Sequence, residues 1–293
     1  MSGVLVERRP LRAPAILDYL ELSKSRIVLM VLITTAAGFL FAAKHVDPLL
    51  LLHTLVGTAL VAAGTNALNQ YVERDLDAKM HRTRTRPLPA GRMTPRAALV
   101  FSSAIALLGT VYLGVAVNWL TAALGAFTLT SYIFVYTPLK RVSTICTLIG
   151  AIPGAIPPLM GWTSATNTLA TGGWILFGIL FLWQLPHFMA ISWMYRDDYA
   201  RGGFAMLSVR DTDGDDVARQ AVCYTLALLA VSTLPFVFGL AGPIYLIGAV
   251  LSGVALLAYA IRFFADHSVR NARSMFMISN LYLLTVMLLL VLQ

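Results

Sequence analysis

Asn69, Glu73 and Asp77, each four residues from the next, are where chemistry first gathers in this sequence. On a helix such positions fall on one stripe roughly a turn apart, so an amide and two carboxylates point the same way. Like charges at that spacing repel and call for a compensating cation. Hard oxygen ligands of this kind suit Mg2+, which keeps water and phosphate oxygens as its other ligands. Asp75 sits about 200° around the helix from Glu73 and joins the group only if the helix unwinds there. The plainer alternative is a solvated helix end, with Arg74 and Lys79 pairing the acids.

Immediately downstream, the run from His81 to Arg92 carries Arg82, Arg84, Arg86 and Arg92. Guanidiniums grip phosphate oxygens in bidentate fashion, so acids and arginines side by side make a site for a metal and a polyanion together. The competing reading is a polybasic segment against anionic lipid headgroups. A second loop, Met194 to Phe204, repeats the theme with Asp197, Asp198 and Arg201 followed by Gly202 and Gly203. Lys140 and Arg141 close another apolar run, as phosphate contacts or as topology determinants. His187, beside Pro186 in an apolar run, is an ionisable group within the membrane and therefore a functional candidate. Pro186 is expected to kink its helix and turn His187 toward the bundle interior.

Elements long enough to position these residues are plain from composition. The 293 residues are 58% apolar and only 12% charged, with a mean hydropathy of +0.75. So few charges cannot coat a water-soluble globule, and the chain reads as a polytopic membrane protein. Apolar stretches of about 17 to 25 residues, the length that crosses a ~30 Å hydrocarbon core, occur near 26–43, 49–69, 97–117, 119–137, 144–163, 170–193, 220–241, 243–263 and 274–292. Their continuity and the need to satisfy every backbone amide in lipid make each a helix. The expected fold is therefore all-α, nine transmembrane helices in a single domain over 1–293.

The net charge of +8 does not point to nucleic acid. All 22 lysines and arginines except Lys44 fall in the N-terminal tail (Arg8, Arg9, Arg12, Lys24, Arg26) or in loops on the same side. That asymmetry puts the N-terminus in the cytoplasm, Gln293 outside, and the chemistry on the cytoplasmic face of the cell membrane. The first span lacks a small-residue cleavage site and reads as uncleaved. Cys146 and Cys223, with no metal or redox motif around them, read as small buried residues. The acidic run Asp211 to Asp216 lacks a complete calcium-loop pattern and reads as a solvated turn.

Asn69-x-x-x-Glu73-x-x-x-Asp77, followed by Arg82-Thr83, Arg86-Pro87-Leu88 and Gly91, resembles the first aspartate-rich motif of the UbiA-type intramembrane prenyltransferases. Glu73 in the middle, Trp183-Gln184-x-Pro186-His187-Phe188 and Asp198-Tyr199-x-Arg201-Gly202-Gly203 resemble its haem-modifying branch. The resemblance implies a helical bundle around a lipid-accessible cavity, with Mg2+, farnesyl diphosphate and protohaem IX (haem b). It implies that Asn69, Glu73, Asp77 and Asp198 hold the metal and act in catalysis. Arg82, Arg86, Lys140, Arg141, His187, Arg201 and Asp75 would bind substrate, His187 through haem iron or a propionate. The departure is Met194, where a second motif would carry another acid. The implied partners are membrane lipid and a haem A synthase or terminal oxidase assembly factors. Rival readings are prenylation of a quinone precursor or chlorophyllide, and a transporter, which would instead spread its ionisable groups along a pathway open to both sides.

Overall fold

Apolar runs of this length leave the backbone no water to bond, so the chain satisfies itself turn by turn as helix. The computed structural model describes residues 15–292; the tail arginines Arg8, Arg9 and Arg12, and Gln293, lie outside the described residues. The helices are α1 (Ile16–Leu22), α2 (Ser25–Ala42), α3 (Pro48–Asp77), α4 (Pro95–Ala116), α5 (Trp119–Thr130), a π-helical segment (Ser131–Tyr136) running into α6 (Thr137–Leu139), α7 (Cys146–Thr166), α8 (Thr171–Met194), α9 (Arg196–Gly202), α10 (Leu207–Arg210), α11 (Asp215–Val231), α12 (Leu234–Val237), α13 (Pro243–Ala265) and α14 (Val269–Val291). Among the described residues no strand occurs.

Eight of these helical stretches are long and apolar enough to cross a membrane. The ninth expected span coincides with α7, which falls outside that set. Its sequence carries Pro153, Pro157 and Pro158 and is rich in Gly, Ser and Thr, and most of its residues are buried. The physical reason is that α7 faces protein on several sides, α2, α5 and α8, and needs small residues for close approach more than it needs lipid-compatible bulk.

Local signals set the helix starts. Asp47 accepts hydrogen bonds from the amides of Leu49 (2.9 Å) and Leu50 (3.1 Å), ahead of Pro48 in the first turn of α3. Thr94 caps α4 before Pro95, and Asn118 caps α5 within the tight connection between those two helices. Ahead of α11, whose N-cap is Gly214, Asp211 accepts from Gly214 N and Val217 N, so the acidic turn leads into a helix start.

Each long helix packs on the next, α3 on α4, α4 on α5, α5 on α7, α7 on α8, α8 on α11, α11 on α13 and α13 on α14. The bundle closes where α14 meets α8 and α2, and where α2 crosses α7. At that last crossing a Cβ on Gly161 would stand 2.0 Å from Thr35 O, and one on Gly38 would stand 2.1 Å from Pro158 O. Only hydrogens fit between these backbones.

One sequence expectation about side chains needs correcting. Cys146 is buried, but Cys223 is exposed on α11, because position 223 falls on that helix's outward side. Pro186 lies inside α8, which is helical from Thr171 to Met194, and His187 beside it is buried.

Candidate active site

The α3 helix continues to Asp77, and this extension turns a spacing into a site. Asn69, Glu73 and Asp77 are all buried on its inward stripe, whereas Asp75 points out, its side chain 81% exposed beside Arg74. The expectation that Asp75 belongs to the substrate site is overturned by the helix remaining wound there.

Each of the three inward side chains meets a different cation from a different segment. Lys24 Nζ donates to Asn69 Oδ1 at 3.0 Å, Lys140 Nζ to Glu73 Oε1 at 2.8 Å, and Arg86 Nη1 to Asp77 Oδ2 at 2.7 Å. With Arg82 these groups line one pocket of about 160 Å³, walled by Tyr132, Tyr136, Tyr199 and Phe204. Two carboxylates and an amide oxygen on one stripe fit Mg2+, which is commonly held by one or two carboxylates with phosphate and water completing the shell. Among the described residues no three His, Cys, Asp or Glu side chains cluster as a self-sufficient metal cage.

The scaffold behind each cation follows from sequence. Lys24 is the second of the two residues joining α1 to α2 and has a left-handed conformation (φ 52, ψ 57), unusual for a residue with a Cβ and a sign that the surroundings fix it. Gln70 Nε2 donates to the last carbonyls of α1, Glu21 O (3.1 Å) and Leu22 O (2.7 Å), and Arg92 bridges Asp18 and Glu21. Lys140 follows the π-helical segment, where Pro138 can donate no amide hydrogen and crowds the carbonyl four residues back. Thr137 there donates to Tyr132 O and accepts from Asn69 Nδ2 at 3.2 Å, tying that helix end to the motif. Thr83 Oγ1 donates to Asp77 O at 2.8 Å and anchors the turn that returns Arg86 to Asp77.

Burial and the nearby charges of Arg86 and Lys140 push Lys24 down to about 7, against the opposing pull of Glu73 and Asp77. Lys140 moves the other way: burial disfavours its charge, but Tyr136 and Glu73 outweigh that and raise its pKa. The same pocket thus shifts its two lysines in opposite directions.

Asp198 does not face the pocket. Its carboxylate accepts from the amides of His81 (2.9 Å) and Arg82 (3.3 Å) and pairs with Arg201. The expected metal ligand is a clamp joining the two long inner loops, since both its oxygens are spent on backbone and guanidinium, and Arg201 serves that clamp. Partial burial works against the Asp198 charge, but the bonds from Arg201, His81 and Arg82 prevail and lower its pKa. That stabilisation is present above the ordinary carboxylate pKa and is lost as pH falls through the lower folded value. Asp198→Ala is expected to lower stability by about 1.5–3 kcal/mol. In a pH series of thermal unfolding the variant's acid limb should be shallower than that of the wild type.

His187 is also elsewhere. Its Nδ1 lies 2.9 Å from Ser279 Oγ and its ring is held between Trp183 (4.7 Å between centroids) and Phe276 (4.8 Å). The histidine belongs to the packed α8–α14 interface, so the expected contact with haem has no geometric support, and His187→Ala is expected to leave haem affinity unchanged in a spectroscopic titration. Arg141 is exposed and does not line the pocket, because only Lys140 of that pair is on the inward side.

Sequence reasoning missed Lys24, Tyr132, Tyr136, Tyr199 and Phe204. A signal for three groups on the facing helix was available: Tyr132, Tyr136 and Lys140 recur four residues apart, the same spacing as Asn69, Glu73 and Asp77. Lys24 reads from sequence as one more basic residue before the first span.

Comparison with known proteins gives a consistent result. The UbiA prenyltransferase family model matches residues 31–284. A protoheme IX farnesyltransferase of Solibacter usitatus is 47% identical over 91% of this chain and 94% of its own length. The Koribacter versatilis protein of the same name is 42% identical over 97% of this chain and 96% of its own. Among solved structures, a digeranylgeranylglyceryl phosphate synthase superposes with a TM-score of 0.79 at 18% identity, covering 94% of this chain and 97% of that one. A UbiA homolog from Archaeoglobus fulgidus bound to GPP and Mg2+ gives 0.66 at 14% identity, covering 93% and 99%.

Proposed function

The chain belongs to the UbiA prenyltransferase family, and from that premise we propose that it transfers the farnesyl group of farnesyl diphosphate to the 2-vinyl group of protohaem IX, giving haem O and diphosphate. It is a multi-pass membrane prenyltransferase. The observation that carries the reading is the convergence of Asn69, Glu73 and Asp77 with Lys24, Arg86 and Lys140 in one pocket at the ends of their helices. The haem acceptor rests on the relatives named above, and the charge asymmetry of the loops supports a cytoplasm-facing pocket in the cell membrane.

Reaction at this site begins with breaking the allylic C–O bond, which separates an anionic diphosphate from a delocalised carbocation. Asn69, Glu73 and Asp77 would hold Mg2+, whose Lewis acidity stabilises the leaving group. Arg82, Arg86, Lys140 and Lys24 bind the diphosphate oxygens and orient the bond to be broken. Tyr132, Tyr136 and Phe204 present aromatic surface beside these cations and keep water from the allylic carbon. The vinyl carbon then bonds to the farnesyl carbon, and water adds to the resulting benzylic-type cation with loss of a proton to give the hydroxyethylfarnesyl group. Asp198 positions Arg82 through the backbone of residues 81 and 82.

Purified chain supplied with farnesyl diphosphate, protohaem IX and Mg2+ is expected to yield a haem heavier by one farnesyl and one hydroxyl group, and none after metal removal by a chelator. Prenylation of a quinone precursor with haem left unmodified would overturn the assignment.

A further inference from the structure

The three inward residues of α3 are not open to a metal as they stand. Every one already accepts a hydrogen bond from a cation, and no cation is shared: Lys24 takes Asn69, Lys140 takes Glu73 and Arg86 takes Asp77. The two ion pairs are shut away from water, with Glu73 and Asp77 side chains 7% and 1% exposed and Lys140 and Arg86 12% and 21%. A buried carboxylate stripped of its counter-charge is strongly disfavoured, so something positive must sit there at all times. Two carboxylates and an amide also fall short of a complete coordination shell, which leaves several positions for phosphate oxygens and water.

We propose that Arg86 and Lys140 stand in for the metal in the substrate-free pocket and pass to the diphosphate oxygens when the carboxylates are taken up by a divalent cation, so that metal and diphosphate bind as one unit and the metal alone binds poorly. The proposal rests on the reading of the pocket as a diphosphate site. Lys24, in its constrained joint between α1 and α2, extends the same pattern to Asn69. Arg82 is the contrast within the pocket: its guanidinium lies over the rings of Tyr195 (4.8 Å) and Tyr199 (5.7 Å) and touches no motif side chain.

The exchange gives the two cations opposite effects on the two ligands. Without metal they compete with it for Glu73 and Asp77; with diphosphate present they become ligands of the anion. Coupling between two ligands is reciprocal, so each should raise the other's affinity by the same factor.

The test uses the full chain in detergent, Mn2+ as the metal probe read by electron paramagnetic resonance, and inorganic pyrophosphate as the anion. Wild type is expected to bind Mn2+ alone weakly. Lys140→Met and Arg86→Met should each bind Mn2+ alone about tenfold more tightly and Mn2+-pyrophosphate at least about fivefold more weakly. Arg82→Met, which removes the same charge from the pocket without freeing a carboxylate, should weaken pyrophosphate binding and change Mn2+ binding by less than about twofold. Equal gains in Mn2+ affinity for all three variants would show a general field effect and overturn the exchange. Wild-type Mn2+ affinity equal to that of Lys140→Met and Arg86→Met would overturn it too. If one variant fails to fold, the other reads the same quantity against Arg82→Met. A wild-type chain that takes up no pyrophosphate at any Mn2+ concentration would overturn the pocket's diphosphate reading itself, an outcome separate from failure of the exchange alone.

Discussion

Glu73→Gln and Asp77→Asn are each expected to leave an inserted, folded protein whose turnover falls by about a hundredfold to a thousandfold. The substitutions keep shape and keep an oxygen for Lys140 or Arg86 to donate to, so the bonds at 2.8 Å and 2.7 Å can persist in altered form. What disappears is a negative charge needed to hold a divalent cation against the leaving diphosphate. Since the C–O bond breaks with charge separation, loss of that electrostatic support raises the barrier far more than it weakens ground-state binding. Product formation at saturating Mg2+, with thermal unfolding measured alongside, checks both halves. Undiminished product formation in either variant would remove the pocket from the mechanism.

Gly161→Val is expected to prevent accumulation of folded protein altogether. Its Cβ would sit 2.0 Å from Thr35 O and 2.7 Å from Phe39 N, both backbone atoms of α2 that no rotamer change can move aside. Overpacking of an ordinary core already costs about 1–3 kcal/mol, and here the whole α2–α7 crossing would have to widen. Widening would also break the reciprocal contact between Gly38 and Pro158. Gly178→Ala makes the control within the same bundle, because its new methyl meets only Val231 Cγ1, at 3.4 Å. Detergent-extracted yield and thermal unfolding should separate the two cleanly.

The helical class, eight of the nine expected spans and the inward stripe Asn69, Glu73 and Asp77 could be read from the sequence because each follows from a period or a length. Apolar run length is set by the thickness of lipid, and a spacing of four is fixed by helix geometry whatever surrounds it. Partnership was not legible in the same way. Nothing local says that Lys140 reaches Glu73 while its neighbour Arg141 faces out, or that Lys24 is brought in by the docking of α1 through Gln70. Asp198 and His187 look alike from sequence, polar groups where function is expected. Their roles as loop clamp and buried interface residue depend on which amides and rings the fold brings to them.

Positive side chains outnumber negative ones around the pocket, Lys24, Arg82, Arg86 and Lys140 against Glu73 and Asp77. Such a mouth attracts any multivalent anion from the aqueous phase, nucleotides and inorganic polyphosphates among them, with little power to tell them apart. Discrimination therefore falls to the hydrocarbon end of the molecule. An inhibitor designed around a phosphate mimic alone would be captured readily yet carry no selectivity, and chemical effort is better directed at the part that stays in the lipid.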